Sequence, residues 1–322
     1  MGFKCAHNRP QRTLGFSAEM HIEALKTLIG NDSTHFPLSP YRPDIMKLAP
    51  ETVPEIDTQE WYIFGNRVSY YRQVTGSLRH IVKIRGDIAG ALNQLSRYAH
   101  VPQSEMNVHI RHLVMYLIGT ADYGPVYGNS SMTFDDLSLP TILPVDFELD
   151  TLKPPSYYHI CLDGALSIDR STSGILHMYA GACLSAQAFR QHSIAKDIHD
   201  SEVFTASTGA AQSIPARATA RDVGVMMATP TPIFSDSKST RLIGMQAGSM
   251  KQSIYLARRV MFMREGVEEN EYMFFTVAGK VNPSDGLTKY IGTKEFIATR
   301  KYMNIISITI VSKTIAIAKV SK

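Results

Sequence analysis

The chain has 322 residues, of which 44% are hydrophobic and 19% are charged, so it can form a packed core. Its formal net charge of +4 is compatible with a polyanionic partner but is too small to identify one. No stretch reaches the roughly 20 apolar residues that a membrane span needs. The three cysteines have neither a disulfide nor a metal-ligand spacing. We therefore expect an intracellular protein of the cytoplasm or nucleus that does not enter a membrane.

The first half of the sequence divides into three segments. Residues 1–66 are rich in Pro, His and Thr, and we predict a peripheral, loosely ordered segment. Residues 67–127 are predicted to be mainly helical, because apolar residues recur at helical spacing, as in Ile88, Leu92, Leu95, Tyr98, Met106, Ile110, Leu113 and Leu117. Residues 128–156 contain four prolines and are predicted to be a linker.

The second half mixes strand-like and helix-like patterns. Strands are predicted at Tyr157–Leu162, Gly174–Tyr179, Pro232–Ser235 and Glu271–Ala278. Helices are predicted at Glu202–Ser213, Ser253–Glu265 and Pro283–Tyr302. This order indicates an α/β domain over residues 157–304, with helices packed on one sheet. Residues 305–322 are predicted to be a C-terminal extension.

Four acidic residues of this half stand where a predicted element begins or ends. Asp163 and Asp236 follow strands, whereas Glu202 and Asp285 lie at helix starts. Carboxylates in such places can converge on hard divalent cations. Simpler explanations stay open for each: a turn residue for Asp163, a solvated first-turn residue for Glu202, an N-cap for Asp236 and a helix start for Asp285.

Several short segments occur in the order and nearly the spacing of a known family. In the first half they are GSL, LSRY, YLIGT and DYGPVY; in the second half they are RSTSG, EVF, PTPIFSD, FMREGVE and SDGLTK. From about residue 70 to residue 303 the chain resembles the Pol polyprotein of copia-type retrotransposons, from the end of the reverse transcriptase through the ribonuclease H domain. The resemblance implies a ribonuclease H-like mixed sheet with flanking helices, preceded by a mainly helical remnant of the polymerase thumb or connection.

The resemblance also implies a chemistry. It places Asp163, Glu202, Asp236 and Asp285 at the four metal-binding positions of the family. The expected cofactor is a pair of Mg²⁺ ions, with Mn²⁺ as a substitute, and the expected reaction is cleavage of the RNA strand of an RNA–DNA hybrid. Asp163 is expected to bridge the two ions, Glu202 and Asp236 to complete the first site and Asp285 to help hold the second. Expected contacts to nucleic acid are Arg170, Ser171, Thr172, Ser173, Lys238 and Lys251.

Other residues of the sequence limit the activities that the resemblance implies. The adjacent aspartates of a polymerase site are missing, since the pair Asp135-Asp136 follows no apolar strand, so no DNA synthesis is expected. Ala165 and Leu166 stand where the family usually has Asp and Trp, and the loop AGKVNPSD contains no His. An alternative is therefore an inactive or co-opted remnant that binds nucleic acid or protein. The apolar faces of the helical segment predict self-association or docking to the missing polymerase part.

Overall fold

A computed structural model describes residues 2–30, 35–48, 52–129, 149, 154–225, 227, 230–245 and 256–311, with Ile243 described for its backbone alone. Its first half is a layer of helices with a short antiparallel sheet. In chain order the elements are β1 (Lys4–Asn8), β2 (Thr13–Ser17), α1 (Glu19–Ile29), α2 (Gln59–Ile81), α3 (Ala89–Ser96), α4 (Met106–Gly119) and β3 (Tyr123–Tyr127). Helices α1–α4, called here the helical layer, share one core that includes Ile22, Leu25, Tyr71, Val74, Leu92 and Leu113.

The prediction of a loosely ordered N-terminal segment is wrong for much of residues 1–66. Strands β1 and β2 form a hairpin in which Lys4 lies opposite Ser17. Ile22 and Leu25 of α1 are buried in the core of the helical layer. This order depends on partners distant in sequence, which are β3 for the hairpin and the other helices for α1.

The second half contains a five-stranded mixed sheet. Its strands are β4 (His159–Ala165), β5 (Thr172–Tyr179), β6 (Ala182–Arg190), β7 (Thr231–Ser235) and β8 (Tyr272–Thr276), in the spatial order β6-β5-β4-β7-β8. Strands β4, β5 and β6 are antiparallel neighbours, whereas β7 runs parallel to both β4 and β8. Three antiparallel strands followed by two parallel strands, with helices on both faces, form a ribonuclease H-like fold. The predicted fold class is thereby confirmed.

Helices pack on both faces of this sheet. The elements are α5 (Ile198–Asp222), α6 (Lys238–Gly244), α7 (Ala257–Glu268), α8 (Asp285–Thr288) and α9 (Thr293–Tyr302), followed by β9 (Ile305–Ser307). Ile160 and Leu162 of β4 share a core with Val203 of α5 and Val260 of α7. The alternate residues of the strands face the other way and meet α8, α9 and the helical layer through Cys161, Leu176, Phe234, Leu287, Tyr302 and Ala89.

Strand β6 and the last predicted helix differ from the predictions. Strand β6 was not predicted, because ACLSAQAFR is rich in small residues and lacks β-branched ones; pairing along β5 determines its conformation. The predicted helix Pro283–Tyr302 is two helices, α8 and α9. Between them Lys289 and Gly292 have extended backbone angles. This break separates the short helix that carries Asp285 from the rest.

Neither of the predicted segment boundaries, at residues 67 and 305, separates two structural units. The second sheet has the order β1-β2-β3-β9, so it joins the N-terminal hairpin, the end of the helical layer and the predicted C-terminal extension. Residues 130–148 and 150–153 of the predicted linker lie outside the described residues, as do residues 312–322.

A buried ionic network joins the helical layer to α9. The Arg85 guanidinium donates to both carboxylate oxygens of Asp87 at 2.9 Å, and both side chains are fully buried. Tyr116 donates to Asp87 Oδ2 at 2.5 Å, and Arg300 of α9 donates to the Tyr116 hydroxyl at 3.3 Å. Removing one member of such a network leaves a buried charge without its partner.

Candidate metal centre

Asp163 and Asp236 are neighbours because β4 and β7 are parallel. Asp163 lies within β4, and Asp236 directly follows β7. Leu162 and Ser235 are partners in the ladder, so the two aspartates that follow them lie side by side. Side chains at the carboxyl ends of parallel strands gather at one edge of a sheet, as the resemblance requires of these two positions.

Helix α5 supplies the third carboxylate. It begins after Asp197, whose side chain accepts a hydrogen bond from the Asp200 N–H at 2.9 Å, a favourable N-cap. Glu202 follows in the second turn. A Cβ atom at Gly164 would lie 2.9 Å from the Ser201 carbonyl oxygen, so glycine in β4 permits the close approach of this helix. Asp163, Glu202 and Asp236 each offer an oxygen, and the three oxygens lie within 4.8 Å of one another.

Asp285 approaches from the loop after β8 and is linked to this group through α8. The Asn282 side-chain amide donates to the Leu162 carbonyl oxygen at 2.9 Å, which ties the loop to β4. Thr288 donates a hydrogen bond to Asp163 Oδ2. The Lys289 ammonium lies 3.0 Å from Asp285 Oδ2 and 4.0 Å from Asp163 Oδ2. Asp285 is thus connected to Asp163 by two neighbouring side chains of its own turn.

The simpler explanations for these acids account for less of the geometry. Asp163 lies in a strand and not in a turn, and Glu202 is 7% exposed and therefore not a solvated residue. At the start of α6 the Thr240 N–H is capped by the Ser237 hydroxyl at 3.2 Å, not by Asp236. Asp285 does begin a helix, α8, and this role is compatible with a place in the acidic cluster.

Burial and repulsion between carboxylates raise the pKa values of Asp163, Glu202 and Asp285. Burial raises the pKa of Asp163, opposed by the charge of Lys289 and the hydrogen bond from Thr288. Burial, followed by the charges of Asp163 and Asp236, raises the pKa of Glu202 to about 9. Burial, then Asp163, raises the pKa of Asp285 to about 6. Carboxylates so close together favour protonation, or a cation that takes the proton's place.

The donor set fits a hard divalent cation. All the oxygens come from carboxylates, which are the protein ligands that Mg²⁺ prefers. Glu202 Oε2 and Asp285 Oδ1 are buried and have no hydrogen-bond partner. Buried polar atoms normally have a hydrogen-bond partner. These two oxygens therefore need a ligand that accepts their lone pairs, as a cation does. The residues present can therefore hold such an ion.

The side chains predicted to contact nucleic acid have different surroundings. Arg170 and Lys238 are exposed, whereas Lys251 lies outside the described residues. Ser171, Thr172 and Ser173 are buried. The Ser173 hydroxyl is 2.7 Å from Thr205 Oγ1 and accepts from Gln191, and Thr172 accepts from Arg97. Contact between nucleic acid and these residues stays a prediction. The burial of Ser171, Thr172 and Ser173 argues against a contact between their hydroxyls and nucleic acid.

Sequence reasoning gave no role to three residues around the acids. Lys289, Thr288 and Asn282 contact carboxylates or fix the loop that carries Asp285. Their signal was present in the sequence, since Thr288 and Lys289 lie three and four positions after Asp285 and so share its side of a helical turn. Lys280, which lies in the same loop, is exposed.

Comparison with known proteins identifies the relatives of the chain. The retrovirus-related Pol polyprotein from transposon TNT 1-94 of Nicotiana tabacum is 24% identical over 307 residues, which cover 92% of this chain and 20% of the relative. The homologues of this chain are Pol polyproteins of copia-type transposons. Those from transposons RE1 and RE2 of Arabidopsis thaliana are 37% identical over 54 residues, 17% of this chain and 4% of each relative. The predicted resemblance is confirmed, and the chain spans about a fifth of the first relative. No family model matches this chain.

Two solved structures are similar to parts of the fold. The N-terminal ribonuclease H domain of rv2228c from Mycobacterium tuberculosis, solved as a fusion with maltose-binding protein, aligns with a TM-score of 0.32 and 14% identity, over 45% of this chain and 96% of that one. The foamy viral protease-reverse transcriptase in complex with double-stranded DNA aligns with a TM-score of 0.37 and 10% identity, over 68% and 34%. The fold assignment rests on the strand order of the sheet. No helix among the described residues has the length and apolarity to cross a membrane.

Proposed function

We propose that this chain cleaves the RNA strand of RNA–DNA hybrids with two Mg²⁺ ions, inside the cell, as part of a copia-type Pol polyprotein. The observation that carries the proposal is the convergence of Asp163, Glu202 and Asp236 within 4.8 Å at the end of β4. Homology to Pol polyproteins and the ribonuclease H-like fold support nucleic-acid cleavage as the reaction class. DNA synthesis is not part of the proposal.

Each residue of the cluster has a role in this reaction. Asp163, Glu202 and Asp236 would hold one ion, and Asp163 with Asp285 would hold the other. Bound Mg²⁺ supplies an activated water and stabilises negative charge on the phosphate and the leaving oxygen. Thr288 orients Asp163 through its hydrogen bond, and Lys289 places a positive charge beside the cluster, where a phosphate would lie. The hybrid would be recognised by shape and 2′-hydroxyls and not by base sequence.

The test is cleavage of a labelled RNA–DNA hybrid in Mg²⁺, in Mn²⁺ and in EDTA. Asp163→Asn and Asp236→Asn should each lower the rate more than about 100-fold, because loss of an outer-shell partner alone costs 10–100-fold. The matched control is Asp222→Asn, at the exposed end of α5, which should cleave like the wild type. Cleavage in EDTA contradicts the proposal. Cleavage by Asp163→Asn at the wild-type rate contradicts it as well.

One observation favours the alternative of a binding protein without activity. The Lys289 ammonium already neutralises Asp285 at 3.0 Å, in a place where a cation is expected. If it competes successfully with Mg²⁺, the chain binds a hybrid without cutting it. Thermal unfolding in EDTA and in Mg²⁺ separates the two cases, since an ion present at 100 times its dissociation constant adds about 2.7 kcal/mol to the unfolding free energy. If the wild type binds Mg²⁺, its unfolding free energy should rise by that amount. Glu202→Gln should show no such rise.

A further inference from the structure

A groove of about 500 Å³ lies between the helical layer and the edge strand β6. Helices α2 and α3 form one wall, with Arg79, Asn93 and Arg97, and residues 186–190 of β6 form the other. Apolar side chains such as Leu92 and Ala188 contribute further surface. None of the four acids of the metal centre lines this groove. It is therefore a separate site, made by both halves of the chain together.

The groove is rich in hydrogen-bond donors that have no acceptor. Asn93 Nδ2, Arg97 Nε and Arg190 Nε are buried and lack a partner, and the Ser96 hydroxyl is buried without one as well. A buried donor without an acceptor costs about 1–3 kcal/mol. Four such groups leave the walls of the groove with an excess of donors over acceptors.

The charge of the groove has a single sign. Three arginines and no acidic residue are among its lining residues, all of which are described. Asp169 pairs with Arg190 from outside the lining, which leaves the charges of Arg79 and Arg97 in excess. Burial, and then the positive charge of Arg190, lowers the pKa of the Arg97 guanidinium. An anion at the rim would relieve this repulsion by pairing with the arginines.

The groove adjoins the metal centre through β5. Arg97 donates a hydrogen bond to Thr172 Oγ1. Thr172 lies opposite Ala165, which is two residues beyond Asp163 on β4, a distance of about 7 Å along the strand. A nucleic-acid strand that reaches the carboxylate cluster would therefore have neighbouring phosphates within reach of the groove.

We propose that this groove binds a phosphate-bearing segment of the nucleic-acid substrate next to the position that is cut. The identity of the strand rests on the proposed function, whereas the phosphate chemistry rests on the arginines of the groove. Arg79 and Arg190 bind phosphate oxygens at the rim, and the apolar surface packs against sugar or base. The helical layer thus contributes directly to substrate binding.

The experiment measures equilibrium binding of a labelled RNA–DNA hybrid in EDTA, at a series of salt concentrations. Arg79→Gln and Arg190→Gln should each weaken binding about 10-fold or more, the usual effect of losing a charged hydrogen bond. Each should also reduce the slope of log K against log salt by about 0.7–0.9, the effect of one phosphate contact. Hybrids of two unrelated sequences should be weakened equally. Ala188→Trp, which fills the groove without changing charge, should weaken binding as well.

The matched control is Arg111→Gln, an exposed arginine of α4 that does not line the groove, and it should leave affinity and salt slope unchanged. Inorganic pyrophosphate as a competitor tests whether phosphate alone is recognised or whether a strand is needed. Wild-type affinity and slope in Arg79→Gln, Arg190→Gln and Ala188→Trp overturn the groove proposal, as does a wild-type protein that binds no hybrid. Binding that depends on the groove without Mg²⁺-dependent cleavage overturns the proposed activity and supports the groove.

Discussion

Among single residues, Thr288 is an uncharged neighbour of the acids that also contributes to the metal centre. Thr288 is buried, and its hydroxyl donates to Asp163 Oδ2, which orients the carboxylate expected to bridge two ions. Outer partners of this kind fix the direction in which a ligand presents its lone pairs. The effect of removing one should therefore appear in metal binding before it appears in stability.

Thr288→Val keeps the shape of the side chain and removes the hydrogen-bond donor. We expect Mg²⁺ affinity or cleavage to fall about 10–100-fold, because Asp163 loses its orienting partner. The measurement is cleavage rate against Mg²⁺ concentration. Thr293→Val, at the exposed start of α9, is the control and should behave as the wild type. Unchanged Mg²⁺ dependence in Thr288→Val would show that Asp163 does not need this contact.

His159 gives the stability of the protein a dependence on acid pH. Its Nε2 lies 2.7 Å from the Tyr302 hydroxyl and its Nδ1 3.0 Å from the Tyr157 carbonyl oxygen. Burial lowers the pKa of His159 from 6.5 to about 4. Between these values the unfolded chain binds a proton that the folded protein excludes, so stability is lost as the pH falls from 6.5 to 4.

This loss from His159 amounts to at most about 1.4 kcal/mol for each pH unit in that window. Urea unfolding at several pH values measures it. The slope should be smaller in His159→Asn, although that variant is less stable overall because it loses a buried hydrogen bond. An equal slope in both proteins would assign the acid sensitivity to other groups.

At the scale of elements, the position of α8 depends on how closely α3 approaches it. A Cβ atom at Gly90 of α3 would lie 2.0 Å from the Gly286 carbonyl oxygen and 2.2 Å from the Tyr41 hydroxyl. Tyr41 itself donates a hydrogen bond to that carbonyl oxygen. The turn that carries Asp285 is thus packed directly against the helical layer, and glycine makes the contact possible.

Gly90→Ala should destabilise the protein by about 1–3 kcal/mol, the usual cost of overpacking, and should lower cleavage by displacing Asp285. Urea unfolding and the hybrid assay measure the two effects. The control is Gly65→Ala in α2, where a Cβ atom meets nothing within 4 Å. Helix propensity alone should make that variant more stable by up to about 1 kcal/mol. A stabilising Gly90→Ala would contradict the close contact.

The sequence predicted those parts of the site that have a strong local signal. The predicted strand before Asp236 ends where β7 ends, at Ser235, whereas the one before Asp163 stops short of the end of β4 at Ala165. Family order related both aspartates to Glu202 and Asp285. The break between α8 and α9 and the strand β6 were missed, because contacts with β5 and the helical layer decide them and no local pattern does. The groove at Arg79 and Arg190 was also missed, since its two walls, residues 79–97 and 186–190, are far apart in the sequence.

At the scale of the whole molecule, the two halves are joined by more than the chain. The second sheet contains strands from the N-terminal hairpin, the end of the helical layer and the region after α9. The Arg85–Asp87 pair is fully buried and connects through Tyr116 to Arg300 of α9. Because these links cross between the halves, unfolding of the helical layer should remove support from the metal centre.

The single tryptophan, Trp61, lies in α2 and reports on the helical layer, whereas cleavage reports on the metal centre. We expect both signals to be lost at one temperature in the wild type. Asp87→Asn should lower that temperature for both, because Arg85 stays buried without its counter-charge, at a cost of about 3–5 kcal/mol. Asp222→Asn, which removes an exposed carboxylate, should leave both transitions in place. If Asp87→Asn shifts the Trp61 transition but leaves cleavage at the wild-type temperature, the halves unfold independently, and the helical layer is not needed to hold the site.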